Sequence, residues 1–223
     1  MKKTLILFAA SAALFSCGRL DVVGKESAAA FGRVLDGFAP YVTRMEAGPG
    51  WSLTAPDGSA RFVWGAPAQG SGLDAWLAVD AAPFLAAGLS PALLPQAIRA
   101  QGGTLVVGTA LTPGAPAPAE DSPLAAFRQI VSLNRQAIGY HAALDHYNVA
   151  LGGGFLFEWA RDPAANDKDI VFVLAPEPFA AAGADLAAIA GWTYAPVTVD
   201  DDAGRPVEVY KLLKPFDLAA GSE

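Results

Sequence analysis

One cysteine and two histidines in 223 residues leave this chain little material for disulfide, thiol or imidazole chemistry. The lone thiol, Cys17, excludes an internal disulfide. His141 and Asp145 stand one helical turn apart, but an imidazole and a carboxylate are two ligands, and a metal site needs more. His141 reads as an interior-leaning residue of a helix, and His146 as an amphipathic residue at a sheet edge. No serine occupies a GxSxG elbow. Gly152-Gly153-Gly154 precedes a strand-like run and has neither GxGxxG spacing nor a GKS/T ending, so it reads as a turn rather than a phosphate cradle. The acidic set Asp162, Asp167 and Asp169 lacks the spacing of a calcium loop, and Asp200 to Asp202 before Ala203-Gly204 read as turn chemistry. The expectation is no catalytic residue, no metal and no cofactor.

Positive charge is also scarce: 15 Lys and Arg face 22 Asp and Glu, for a net charge of −7. With no basic cluster or interleaved aromatic platform, the sequence excludes nucleic acid as a partner. It likewise offers no polybasic patch to anionic lipid headgroups. Hydrophobic residues make up 53% of the chain, which excludes general disorder and suffices for a packed core.

The first residues, MKKTLILFAASAALFSCGR, place a basic pair (Lys2, Lys3) before an apolar run from Leu5 to Phe15 and then small residues, the order of an export signal. The run falls short of the roughly 20 apolar residues that span a bilayer. A buried core thiol has no reason to sit at this junction, and a single exposed thiol on an exported chain invites oxidation unless it is capped. Leu14-Phe15-Ser16-Cys17-Gly18 resembles the lipobox of bacterial lipoproteins: an aliphatic residue three places before the cysteine and a small one just before it, with Phe15 bulkier than usual. The resemblance implies cleavage before Cys17, a diacylglyceryl group on its sulfur and a further amide-linked chain. Together these meet the need for more than one lipid in stable anchoring. Gly18 stands where enterobacterial lipoproteins carry the aspartate of inner-membrane retention, so the implied address is the outer membrane. Loss of Lys2 and Lys3 leaves 13 of the 15 basic residues against 22 acidic ones, a net charge of −9.

Sliding the chain on itself by 95 positions gives an ungapped match. WSLTAPDGSARFVW (51–64) falls on HYNVALGGGFLFEW (146–159), pairing Gly58 with Gly153, Phe62 with Phe157 and Trp64 with Trp159. At the same offset Asp74, Pro83, Phe84 and Gly88 meet Asp169, Pro178, Phe179 and Gly183. In each half a turn sequence (Pro56-Asp57-Gly58 or Gly152-Gly153-Gly154) separates two strand-like runs, a hairpin signature. A third strand ends in PFLAAG or PFAAAG, where proline suits the first turn of a helix and glycine its C-cap. Ser90 or Asp185 then offers an N-cap for a further helix. Ahead of each hairpin, apolar spacing predicts a helix: Phe31, Val34, Leu35, Phe38, Val42 and Met45 over 27–45, and Phe127, Ile130, Val131, Ile138 and Leu144 over 122–144. TLVVGTAL (104–111) closes the first half as a strand. TYAPVTV (193–199) and PVEVYKLL (206–213) predict a terminal hairpin.

The expected fold class is α+β, a tandem duplication of a helix/antiparallel-strands/helix unit with pseudo-twofold symmetry. Its expected organisation is a signal peptide (1–16), a lipidated tether (17–26), a first repeat (27–111), a Pro/Ala-rich linker (112–121) and a second repeat with the terminal hairpin (122–218). The pattern leaves open whether the strands share one sheet or form two facing sheets. Strand aromatics are more often core than ligand cage, but an interface between halves is where a pocket forms. The expected function is thus a non-enzymatic, membrane-tethered envelope lipoprotein holding an apolar or lipid-like ligand between the repeats, with Trp64, Trp159, Phe62 and Phe157 as lining. The alternative is a structural module that docks on another envelope protein.

Overall fold

Alternating apolar and polar residues on either side of the two turn sequences generate two antiparallel sheets. The computed structural model describes residues 13–46, 50–66, 73–112, 120–165, 168–200 and 205–217. Residues 1–12 of the signal, the linker core 113–119, Asp167, and Asp201 and Asp202 lie outside the described residues, as does the side chain of Cys17.

The chain begins with α1 (Ala13–Gly37), which runs through the segment read as a tether. Strands β1 (Val42–Arg44), β2 (Trp51–Thr54), β3 (Ala60–Ala66) and β4 (Leu73–Asp80) follow, then the short α2 (Ala82–Ala86), β5 (Ile98–Gln101) and β6 (Thr104–Thr112). The second half repeats the order with α3 (Pro123–Leu133), β7 (Ile138–His141), β8 (His146–Leu151), β9 (Phe155–Ala160), β10 (Ile170–Leu174), α4 (Glu177–Ala181), β11 (Thr193–Asp200) and β12 (Pro206–Phe216). The fold is α+β. One sheet has the order β1-β2-β3-β4-β6-β5, the other β7-β8-β9-β10-β12-β11.

Two helical expectations are corrected. α1 stops at Gly37, and Pro40 in the following turn precedes β1, so Val42 opens a strand instead of extending the helix. α3 ends at Leu133 because Asn134 leaves helical geometry and its amide donates back to the Ile130 carbonyl at 3.0 Å. Ile138 and His141 therefore lie on β7 and Leu144 in the turn after it. Edge-strand residues facing the core happened to continue the 3.6-residue spacing. The helix expected after PFLAAG or PFAAAG shrinks in each half to a three-residue 3-10 turn, Pro91–Leu93 or Leu186–Ala188. Pro95 forces Leu94 to extended geometry and ends the first of these.

The register refines the internal match. Trp64 pairs with Ala75 and Trp159 with Ile170, as the 95-residue offset requires. One strand earlier, Trp51 faces Trp64 whereas Tyr147 faces Trp159. Tyr147, not His146, thus stands where Trp51 stands, because the Gly152–Gly154 turn is one residue shorter than its counterpart.

Each long helix covers the sheet of the other half: α1 lies on β7, β8 and β9, and α3 on β3 and β6. The indole of Trp64 donates to the Pro123 carbonyl at the start of α3, and that of Trp159 to the Ser27 carbonyl in α1, both at 2.9 Å. Matching residues meet across the interface. Ring centroids lie 3.8 Å apart for Phe31 and Phe127, 4.2 Å for Phe62 and Phe157, and 5.1 Å for Phe84 and Phe179. The Ser90 amide donates to Ala182 at 2.8 Å and the Asp185 amide to Ala87 at 2.7 Å. Gly88 and Gly183, at φ of 94° and 92°, cap α2 and α4 in left-handed geometry. A Cβ on either would crowd the other's carbonyl oxygen, at 3.1 and 3.3 Å. The two halves share one hydrophobic core.

Candidate functional site

Core packing decides the position of the four aromatics expected to line a pocket. Trp64, Trp159, Phe62 and Phe157 are at most 1% exposed. Phe62 and Phe157 stack nearly parallel, and each also stacks on the tryptophan of its own strand at 5.4 or 5.5 Å. Rings in van der Waals stacking leave no room for a guest between them. These residues are core, and they line neither of the two clefts described below.

The first cleft, about 550 Å³, lies between α1 and the β8–β9 side of the second sheet and is lined by Glu26, Ala29, Arg33, Tyr147, Arg161 and Asp162. The Tyr147 hydroxyl donates to Glu26 at 3.1 Å, and burial together with that carboxylate pushes its pKa up to about 12. Arg161 is committed to Asp145, with contacts of 2.7 and 3.2 Å, and Tyr140 donates its hydroxyl to the same carboxylate. Asp145 adopts left-handed geometry, φ 54°, at the tight turn into β8. Of the lining cations, Arg161 is thus neutralised by Asp145 from outside the cleft, and Arg33 donates to the Arg161 carbonyl.

Beside it, on the face of the second sheet away from the core, His141 and His146 sit opposite each other across β7 and β8, and both approach Glu158 of β9. Their Nδ1 atoms lie 3.7 and 3.8 Å from its carboxylate oxygens, ion-pair separations longer than hydrogen bonds. The carboxylate raises the pKa of His141 against the lowering effect of burial. Burial would raise the pKa of Glu158, but the two imidazoles outweigh it and hold it below the ordinary value. The sequence reading singled out both histidines but not Glu158, which only sheet register brings to them. Asp145 pairs with Arg161 instead of sharing a metal with His141. Among the described residues no group of three or more His, Cys, Asp or Glu is arranged to hold a metal ion. Asp162 accepts from the Ala164 amide at 3.2 Å as an ordinary turn residue, and Asp169 is buried just before β10.

The second cleft, about 350 Å³, runs between α1 and α3 and is lined by Gly24, Lys25, Ala28, Arg128, Val131, Ser132 and Arg135. Small residues create it: Gly24 faces Val131 and Gly32 faces Leu124, so the helices approach closely and run antiparallel.

The hairpin of β11 and β12 is the fourth feature. Its counterpart turns tightly at Gly102-Gly103 after a four-residue β5, whereas β11 and β12 run for eight and eleven residues. Tyr194 and Tyr210, 5.0 Å apart, share one face, and Val199 and Val207 pair on the other. All four are more than a third exposed. At its base the hairpin is pinned by Lys214, nearly buried, which donates to Asp57 of the first half and to the Gly191 carbonyl, each at 3.1 Å.

No protein-family model, curated protein or solved structure matches the chain. No helix among the described residues is long and apolar enough to cross a membrane.

Proposed function

We propose that this chain is a non-catalytic lipoprotein of the cell envelope, tethered through Cys17, that docks on another envelope protein by its β11–β12 hairpin. In this reading the two halves arose by tandem duplication and are related by a pseudo-twofold axis, as the reciprocal helix exchange and the pairing of Phe31 with Phe127, Phe62 with Phe157 and Phe84 with Phe179 suggest. The lipobox-like LFSC supports the tether. The observation that carries the docking role is the hairpin: apolar side chains exposed on both of its faces, with β11 at the open edge of the sheet. An edge strand with exposed tyrosine and valine is a template for a partner's strand or apolar surface, and a protein with no partner gains nothing from extending one.

The test is a photo-cross-linking residue placed at Tyr210 in the native envelope, with one at exposed Leu93 of the first half as reference. One discrete cross-linked polypeptide from position 210 and none from 93 supports docking. Equal, diffuse labelling from both positions contradicts it.

A further inference from the structure

The α1–α3 groove gathers positive charge that the sequence disperses. Lys25 comes from one helix, Arg128 and Arg135 from the region of the other, and the floor between them is apolar (Gly24, Ala28, Val131). All three cations are exposed on a chain that is otherwise acidic. Because α3 runs antiparallel to α1, its C-terminal end lies beside the part of α1 nearest Cys17. Lys25 is eight residues from Cys17 in the same helix, about 12 Å along its axis at 1.5 Å per residue. Leu133, the last residue of α3, is 47% exposed next to groove residue Ser132.

We propose that this end of the molecule lies on the membrane and that the groove takes the phosphate of anionic lipid headgroups, with Leu133 entering the interface. The inference rests on the Cys17 tether. Acyl chains at the start of α1 hold the surface within reach of the headgroups, and basic residues within a Debye length of an anionic surface are attracted to it. The contact fixes which way the tethered domain faces and leaves the β11–β12 hairpin free for a partner.

The test uses the full chain as purified from membranes, with Ser132→Cys labelled by an environment-sensitive fluorophore. Acylation of Cys17 blocks its sulfur, so one label per chain is expected, whereas two labels report an unmodified Cys17. The labelled protein is placed on vesicles of DOPC alone or with a third DOPG, each also prepared with a quencher near the headgroups. We expect flotation with both vesicles, at least twofold stronger quenching with DOPG, and loss of that increment in Arg128→Glu/Arg135→Glu or in molar salt. The milder Arg128→Gln/Arg135→Gln pair should give an intermediate loss, and unchanged melting of both variants certifies their fold. One label with equal quenching on the two vesicles overturns the groove and leaves the tether. Two labels with flotation only on DOPG vesicles overturns the tether and leaves the groove. Two labels without flotation overturns both.

Discussion

The two halves of this chain agree where they touch each other and differ away from that interface. At the shared interface the matches are Phe31 with Phe127, Phe62 with Phe157, Trp64 with Trp159 and Gly88 with Gly183, each in the same role. On the face of the second sheet away from the shared core, the partly exposed His141 and the buried His146 and Glu158 occupy positions that in the first half belong to Met45, Gly50 and Val63. The terminal hairpin is long only in the second half. The common part is therefore architecture, and the largely buried His–Glu cluster and the long hairpin belong to the second half alone.

The largest effect is expected from the interface tryptophans. Trp64→Ala and Trp159→Ala should each cost about 3–5 kcal/mol through lost transfer and a residual cavity, and chemical denaturation should find the two costs similar. A cost at one site several-fold smaller than at the other would break the equivalence of the halves. Next is the cross-half pin. Asp57→Ala leaves the ammonium of Lys214 short of a partner and should cost about 1.5 kcal/mol, the low end for a hydrogen bond to a charged group because Asp57 is half exposed. Lys214→Met should cost less than Asp57→Ala, since Trp192 and Phe216 already flank the site.

The outer-face cluster sharpens the comparison through pH. His141 has a raised pKa, so its stabilisation is complete below its unfolded value of 6.5 and fades as pH rises through the folded value. Glu158 has a lowered pKa, so its stabilisation is complete above 4.5 and is lost as pH falls through the folded value. The stability difference between wild type and Glu158→Gln should therefore peak between pH 4.5 and 6.5 and narrow on both sides. A difference independent of pH would show that the imidazoles and the carboxylate do not pair. The smallest stability effect belongs to the hairpin. Tyr194→Ser/Tyr210→Ser should cost about 1 kcal/mol, the worth of one half-exposed aromatic pair, while removing the partner cross-link from that surface.

Local chemistry made much of this fold legible. Turn sequences marked both hairpins, Pro-Phe followed by glycine marked α2 and α4, and β-rich runs marked β11 and β12. What escaped was set by tertiary structure. Val42 and Ile138 continued a helical period beyond the true helix ends because edge-strand residues facing the same core can mimic it, and the exposed Leu144 in the turn after β7 met the spacing by coincidence. The ungapped slide aligned Trp51 with His146, since a one-residue difference inside a turn leaves no trace in a fixed offset. Periodicity could not reveal that α1 covers the other half's sheet, and that exchange buries the aromatics expected to line a pocket. The basic groove was missed because Lys25 and the two arginines come from opposite halves of the chain.

Native mass spectrometry of the protein gently extracted from membranes tests the central claim most directly. The account predicts a chain that starts at Cys17 with acyl mass added, accompanied by a polypeptide partner that Tyr194→Ser/Tyr210→Ser releases. A stoichiometric small apolar guest, retained through washing and unaffected by the hairpin substitutions, would contradict docking and restore a pocket between the halves.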